Sequence, residues 1–218
     1  MKKPQDAYGR MLLDALEGED VAEIVERDDG FVMASRFGPE VYLAPYRRWP
    51  SRQRRAMRLV RGRVLDVGCG AGRVGLHLQS RGHEVVGIDV SPLAVQVARQ
   101  RGLDDARVGT LDSAVGLDER FDTILLLGNN LGLLAGERQG RRLLRRLVRV
   151  AVDKGRILAG SWDPYDGASE LSRRYHARNR DVLFASREEV ASLVQGTGWA
   201  ASRFLGDGAG YVAVLELE

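Results

Sequence analysis

The sequence predicts an α/β fold of alternating strand–helix units closed by a terminal hairpin. Three observations carry that prediction. The run Val64-Leu65-Asp66-Val67 reads as a short buried strand, and Gly68-Cys69-Gly70-Ala71-Gly72-Arg73 turns it into an amphipathic stretch at 74–79. The alternation of strand-like and helix-like runs then repeats, giving five β/α units in all. Near the end, 199–205 and 211–217 read as antiparallel strands joined by Gly206-Asp207-Gly208-Ala209-Gly210.

The glycine turn carries the chemistry. Glycine permits positive φ and lets a ligand approach the backbone. A helix start offers free N–H groups. Together they make a site for a nucleotide-like ligand. Gly70-Ala71-Gly72-Arg73-Val74-Gly75 fits the dinucleotide pattern G-x-G-x-x-G. A pyrophosphate at that helix start is poorly served by a neighbouring acid. Here the pattern is Asp66-x-Gly68-x-Gly70-x-Gly72. An acid in that place suits a ligand with a cationic end, such as an amino group. That feature weighs against an NAD(P)-binding enzyme.

Further stations follow in order. Residues 83–89 read as a second strand ending in Asp89, 19 residues after Gly70. Ser91-Pro92 opens a helix as N-cap and first-turn proline, and Gly102 closes it. Residues 107–113 read as a third strand and its exit, and 121–130 as a fourth. The segment 137–152 is an arginine-rich amphipathic helix. Residues 155–162 read as a fifth strand. Ser186-x-x-Glu189 is a capping box for a helix reaching about 194 or 195.

With these motifs the chain resembles the class I S-adenosylmethionine-dependent methyltransferases, most fully over residues 60–160. The resemblance implies a Rossmann-like seven-stranded sheet, the class I methyltransferase fold. Counting core strands only, its order is 3-2-1-4-5-7-6. It implies S-adenosylmethionine as cofactor and S-adenosylhomocysteine as product. By position, Asp66 holds the methionine amino group, often through water. Gly68, Cys69, Gly70, Gly72 and Arg73 line the methionine part. Asp89 accepts the ribose hydroxyls, with Val90 beside it. Leu111, Asp112 and Ser113 lie toward the adenine, Asp112 accepting from its amino group. Gly128 and Asn129 border cofactor and acceptor. Taken singly, each acid is more often a strand-end or turn residue than a ligand contact; the ordered set favours the ligand reading.

Residues 1–62 read as an N-terminal helical and hairpin cap. Residues 63–218 read as the cofactor-binding core, the whole forming one structural domain. Tyr8, Met11, Leu12, Ala15 and Leu16 have helical spacing. Residues 31–35 and 41–43 suggest a hairpin about Gly38-Pro39, and 51–60 a helix. Between the fifth strand and the last helix, 163–185 leaves room for a loop and one short strand at 182–185. Relatives often carry a larger lid there.

The length of 218 residues suits one domain with a sizeable core. No apolar run approaches the roughly 20 residues needed to span a bilayer. The lysines of Met1-Lys2-Lys3 have no apolar stretch behind them, unlike a secretory signal. One cysteine, Cys69, rules out an internal disulfide and a cysteine-cluster metal site. A cytoplasmic protein with no metal, monomeric or homodimeric, is the expectation.

The net charge is only +3, although the bases are almost all arginine. Arg141, Arg142, Arg145, Arg146 and Arg149 read as the wet face of an amphipathic helix. The segment 47–63 concentrates eight arginines and is the one feature suited to an RNA or protein acceptor.

A sulfonium methyl is already activated, so such an enzyme mainly orients the acceptor; orientation supplies about 7–11 kcal/mol in favourable cases. No universal catalytic residue is implied. Candidates are Tyr46 in the cap, Asn129 after the fourth strand, Asp163 after the fifth, and His176, the one histidine placed to act as a base. Asn130, Tyr165, Tyr42 and Trp49 lie in the same regions. His77 and His83 read as structural. Asn129-Asn130 departs from the Pro-Pro-aromatic motif of amino methyltransferases acting on bases and glutamine. The glycine-loop position of Cys69 is unsuited to a pyrimidine C5 nucleophile. A small-molecule acceptor leads, with nucleic acid and membrane disfavoured. A non-catalytic S-adenosylmethionine-binding module is the reading from outside enzymology.

Overall fold

A computed structural model describes residues 6–26, 30–34, 38–114, 118–134, 136–166 and 184–218. The expected strand at 182–185 and His176 lie largely or wholly outside them.

The N-terminal segment forms α1 (Ala7–Glu17), β1 (Ile24–Glu26), β2 (Val32–Ala34) and α2 (Glu40–Leu43). Asp6 caps α1 by accepting from Gly9 N at 2.9 Å, and Gly18 ends it at φ +89°. Leu12 is fully buried against Ala94 and Val97 of the core, a burial worth about 1.5–3 kcal/mol. The expected hairpin is corrected: β2 pairs antiparallel with β1, Met33 opposite Val25. Residues 41–43 are helical because Pro39 adopts α-region angles and starts a turn there.

The core contains α3 (Ser51–Met57), β3 (Val64–Val67), α4 (Arg73–Gln79), β4 (Val85–Asp89), α5 (Pro92–Gln100), β5 (Asp105–Val108) and α6 (Leu111–Ala114). It continues through β6 (Phe121–Leu126), α7 (Glu137–Leu147), β7 (Ala151–Trp162), α8 (Arg187–Val194), β8 (Trp199–Leu205) and β9 (Gly210–Leu217). Three boundaries differ from expectation. The helix α3 stops at Met57. The third strand ends at Val108, and 111–114 is a helical turn held by reciprocal Thr110–Ser113 hydrogen bonds. The arginine-rich helix yields to strand at Ala151, which pairs with Phe121.

The seven strands lie in the order β5-β4-β3-β6-β7-β9-β8, the arrangement the resemblance implied. β3, β4, β5, β6 and β7 are parallel, and β9 runs antiparallel between β7 and β8. The strands β3 and β4 are buried along their whole length, as parallel strands covered on both faces require. Leu65, Ile124 and Ile157 pack on one face with Leu143, Leu144 and Leu147 of α7. Val64, Leu125 and Leu158 pack on the other with Met57, Val74 and Val95 from α3, α4 and α5. Successive strands run outward from β3 in one direction and from β6 in the other. That switch point opens a crevice at the carboxyl ends of β3 and β6.

Candidate active site

The glycine loop occupies this switch point. Gly68, Gly70 and Gly72 have φ of +71°, +53° and +73°, which a side chain would strain. Space forbids one as well. A Cβ at Gly68 would lie 2.3 Å from Asn130 Nδ2, and one at Gly70 2.7 Å from Tyr8 Oη. Asn130 donates both N–H groups of its amide, to the Val67 and Gly68 carbonyls at 2.9 Å each. It thereby ties the β6 exit to the loop.

A cavity of about 200 Å³ opens beside the loop. Its lining includes Asp66, Gly68, Cys69, Gly70, Arg73, Gly128 and Asn130, with Tyr8 and Tyr42 contributed by the N-terminal segment. Those two rings meet edge to face with centroids 5.3 Å apart. Burial raises both phenols, so each stays neutral. Burial likewise pushes the Cys69 thiol up, leaving it a packing group rather than a nucleophile.

Asp66 is the electrostatic centre of the cavity. It is 3% exposed, and its Oδ2 is buried without a hydrogen-bond partner. Burial pushes its carboxyl up to about 7; Arg73 opposes that shift and Asp89 adds to it. Arg73 borders the same cavity, donates to Gln53 Oε1 at 3.0 Å and stacks over Trp49 at 4.6 Å. An acid with a free oxygen and a guanidinium facing one cavity form a receptor for a zwitterionic amino-acid end.

Asp89 is also buried. One of its oxygens accepts from Gly70 N and the other from Ser91 N, both at 2.9 Å. Each oxygen keeps a second lone pair for a ligand hydroxyl. Val90 beside it is 66% exposed, an apolar surface at the strand exit. Asp6 reaches this region from the N-terminal segment, accepting from Ser91 Oγ at 2.8 Å and Leu93 N at 3.0 Å. One carboxylate therefore caps α1 and docks it on the start of α5.

Several other expected site residues are not among the residues lining this cavity. Asp112 is ion-paired with Arg146 of α7, which draws its carboxylate toward that helix. Leu111 is buried in the core beneath α7, and Ser113 Oγ donates to the Thr110 carbonyl. Tyr46 stacks on His77 at 4.1 Å and donates to the Arg54 carbonyl at 3.3 Å, away from the cavity lining. His83 Nδ1 lies 2.9 Å from the Gly62 carbonyl. Asp163 pairs with Arg187 at 3.5 Å and accepts from Tyr165 N. Asn129 has φ +76° and a buried Oδ1 without a partner, beside Gly128 on the cavity wall. Sequence reasoning missed Tyr8 as a wall of the cavity and the amide clamp of Asn130.

A methyltransferase-domain family profile matches residues 64–155. The fold closely follows that of an S-adenosylmethionine-dependent methyltransferase from Bacteroides fragilis, solved with S-adenosyl-L-homocysteine. The TM-score is 0.82, with 24% identity over 97% of this chain and 94% of that one. The fold is that of the class I S-adenosylmethionine-dependent methyltransferases. The chain is 42% identical over 72 residues to the 2-heptyl-1-hydroxyquinolin-4(1H)-one methyltransferase of Mycobacteroides abscessus, 30% of this chain and 32% of that protein. It is 28% identical over 119 residues to the putative methyltransferase YqeM of Bacillus subtilis, 53% of this chain and 48% of that one. The chain thus spans about a third to a half of the curated relatives it matches. Among the described residues no helix is long and apolar enough to cross a membrane. No group of three His, Cys, Asp or Glu side chains there is placed to hold a metal.

Proposed function

We propose that the protein transfers a methyl group from S-adenosylmethionine to a small-molecule acceptor. The observation that carries this is the unpartnered Asp66 oxygen facing the glycine-loop cavity, with Arg73 on the same lining. The residues present fit the cofactor. Asp66 would hold its ammonium and Arg73 its carboxylate, while Gly68, Cys69, Gly70 and Gly72 offer backbone with no side chain at the glycines. Asp89 would accept the ribose hydroxyls, and Val90 would lie under the base. The β5 exit is tied to Asp89 by the Gly109 N–H donating to its carbonyl at 2.8 Å, which supports a base end toward Leu111, Asp112 and Ser113. Division at residue 62 into cap and core belongs to the same reading, supported by the docking of α1 on α5.

When bound, S-adenosylmethionine supplies a sulfonium methyl that is already activated toward nucleophiles. The chain's own work is orientation and exclusion of water. Tyr8 and Tyr42 roof the cavity, and the Asn130 clamp fixes the loop against the β6 exit. Gly128, Asn129 and the end of β7 border the side on which an acceptor would enter. Orientation of this kind is worth about 7–11 kcal/mol where alignment is good. Asn129 Oδ1, buried without a partner, is an acceptor-positioning candidate there. Asp163 is committed to Arg187, and His176 lies outside the described residues.

Three of the eight arginines of 47–63 are engaged within the chain, which supports a small acceptor over nucleic acid. Arg54 donates to the Arg47 carbonyl, Arg61 to the Lys154 carbonyl, and Arg63 pairs with Glu84 and Glu119. Those three are less available to a phosphate track. The single cysteine supports placement in the reducing cytoplasm, with a monomer or homodimer as the working unit.

Calorimetry should detect S-adenosylmethionine and S-adenosylhomocysteine binding and no NAD(P)H binding. A screen of small acceptors should then show S-adenosylhomocysteine formation. Binding of NADH with no response to either adenosyl ligand would overturn the proposal.

A further inference from the structure

We propose that Arg52 is the anion-binding residue of the acceptor site, and that the acceptor is a flat, largely apolar molecule bearing a carboxylate. The inference rests on the methyltransferase reading and narrows its substrate class.

Arg52 stands apart from the other arginines of its segment. It is half-buried, and among the described residues it has neither an ion pair nor a hydrogen bond. Its guanidinium lies 5.0 Å from the centroid of the Trp162 ring. Gly210 closes in beside it: a Cβ there would sit 2.6 Å from Cζ and 2.8 Å from Nη2. The absence of a side chain at 210 therefore makes room for this group. With the ring and the Gly210 backbone packed against the guanidinium, its N–H edges remain for binding. Those edges form the planar fork that matches a carboxylate. Burial works against its charge, and nearby acids do not compensate: Asp163 is taken by Arg187. A half-buried cation on an aromatic ring, with no counterion, is a prepared anion site.

Its place in the fold is that of the acceptor. Leu158 and Val64 pack on one face of the sheet. Alternation puts Trp162, four residues after Leu158, and Asp66, two after Val64, on that same face. The neighbouring residue Gln53 holds Arg73 on the cavity wall. The helix α3 thus reaches the cofactor end of the crevice with one side chain and the β7 exit with the next. Around that exit Trp162, Tyr165 and Leu133 are each about two-fifths exposed. Large apolar groups open to solvent at a site mark a surface for an apolar ligand.

The test uses S-adenosylhomocysteine-saturated full-length protein. Ligand-observed NMR gives Kd values for indole-2-carboxylate and 4-hydroxybenzoate and for their primary amides. The carboxylates should bind at least tenfold tighter than the amides. Arg52→Met, which keeps an aliphatic stem against Trp162, should erase that preference. Arg52→Lys should restore part of it. Melting temperature and S-adenosylhomocysteine affinity of both variants should stay near wild type. Equal binding of acids and amides, no binding of either in the millimolar range, or an unchanged preference in Arg52→Met would overturn the proposal. Failure of the wild-type protein to bind S-adenosylhomocysteine would instead sink the methyltransferase reading on which it rests.

Discussion

Replacing Asp66 with asparagine tests the centre of the site, because the structure gives this one carboxyl two opposed consequences. Its carboxyl is displaced from 3.8 to about 7, chiefly by burial. At 1.36 kcal/mol per pH unit, the ionised form in the folded protein is disfavoured by about 4 kcal/mol. Below pH 3.8 the group is protonated both folded and unfolded, and the penalty is absent. Above pH 7 it is ionised in both states, and the folded protein carries the full penalty. Stability of the ligand-free protein should therefore fall as pH rises from about 4 to about 7 through this group. In Asp66→Asn that component of the slope disappears.

Ligand binding reverses the balance. A cationic amino group beside the buried carboxyl favours its ionised form, so binding at pH 7 should release about half a proton. Calorimetry of S-adenosylhomocysteine binding in two buffers of different ionisation enthalpy reads that number directly. Affinity should rise with pH between 6 and 7.5. Loss of a charge-assisted hydrogen bond is worth about 1.5–3 kcal/mol, so Asp66→Asn should bind about ten- to a hundredfold more weakly at pH 7.5. Wild-type-like affinity in the variant, or binding without proton release, would refute the assignment of Asp66 to the ammonium.

Three further outcomes follow from the geometry. Asp89→Ala strips partners from the Gly70 and Ser91 N–H groups and removes the two oxygens proposed to accept the ribose hydroxyls. Calorimetry should show at least a tenfold loss of cofactor affinity, together with a lower melting temperature; affinity equal to wild type would show that the ribose lies elsewhere. Gly70→Ala drives a methyl toward Tyr8 Oη, so cofactor binding should drop sharply. Adding Tyr8→Phe should recover part of it, leaving only the strain of φ +53°; no recovery would mean that Tyr8 does not close on the loop. Replacing Arg54, Arg55 and Arg58 with glutamine should leave small-acceptor turnover within a few-fold. Tight, salt-sensitive RNA binding by the wild type that is lost in the triple variant would point to a nucleic-acid acceptor instead.

Local chemistry made much of the fold and of the glycine-loop cavity legible. The strand, glycine turn and helix around 64–79 are adjacent in sequence, so one short window carried Asp66 and its neighbours. Ser91-Pro92 and Ser186-x-x-Glu189 are likewise local signals, and both cap as expected. Long-range pairings were not legible. Tyr8 meets Gly70 because α1 packs on α5, and nothing in its helical spacing distinguishes a cavity wall from core packing. The Asn130 clamp needs the β3 and β6 exits to be neighbours, and each exit alone resembles an ordinary polar turn. The ion pair of Asp112 was equally hidden. Its partner Arg146 is 34 residues away on α7, in a face that read only as solvated. The mispaired hairpin arose because Gly38-Pro39 resembles a turn, whereas Pro39 begins a helix.

The two ends of the crevice are mechanically joined. Consecutive residues on a helix point about 100° apart at 3.6 residues per turn. Arg52 and Gln53 use that divergence, one meeting Trp162 on β7 and the other Arg73 beside the glycine loop. Ala56 and Met57 bury the same helix in the core, so α3 has little freedom to shift one contact without the other. A change in how Arg73 is held should therefore be felt at Trp162. Gln53→Ala removes the Arg73 hydrogen bond and touches neither Arg52 nor Trp162 directly. If α3 couples the sites, S-adenosylhomocysteine should bind several-fold more weakly to this variant, and its effect on carboxylate affinity should differ between the ligand-free and S-adenosylhomocysteine-saturated protein. Linkage requires the same factor to appear whichever ligand is added first. Carboxylate affinity indifferent to the cofactor in both proteins would show two independent half-sites on one helix.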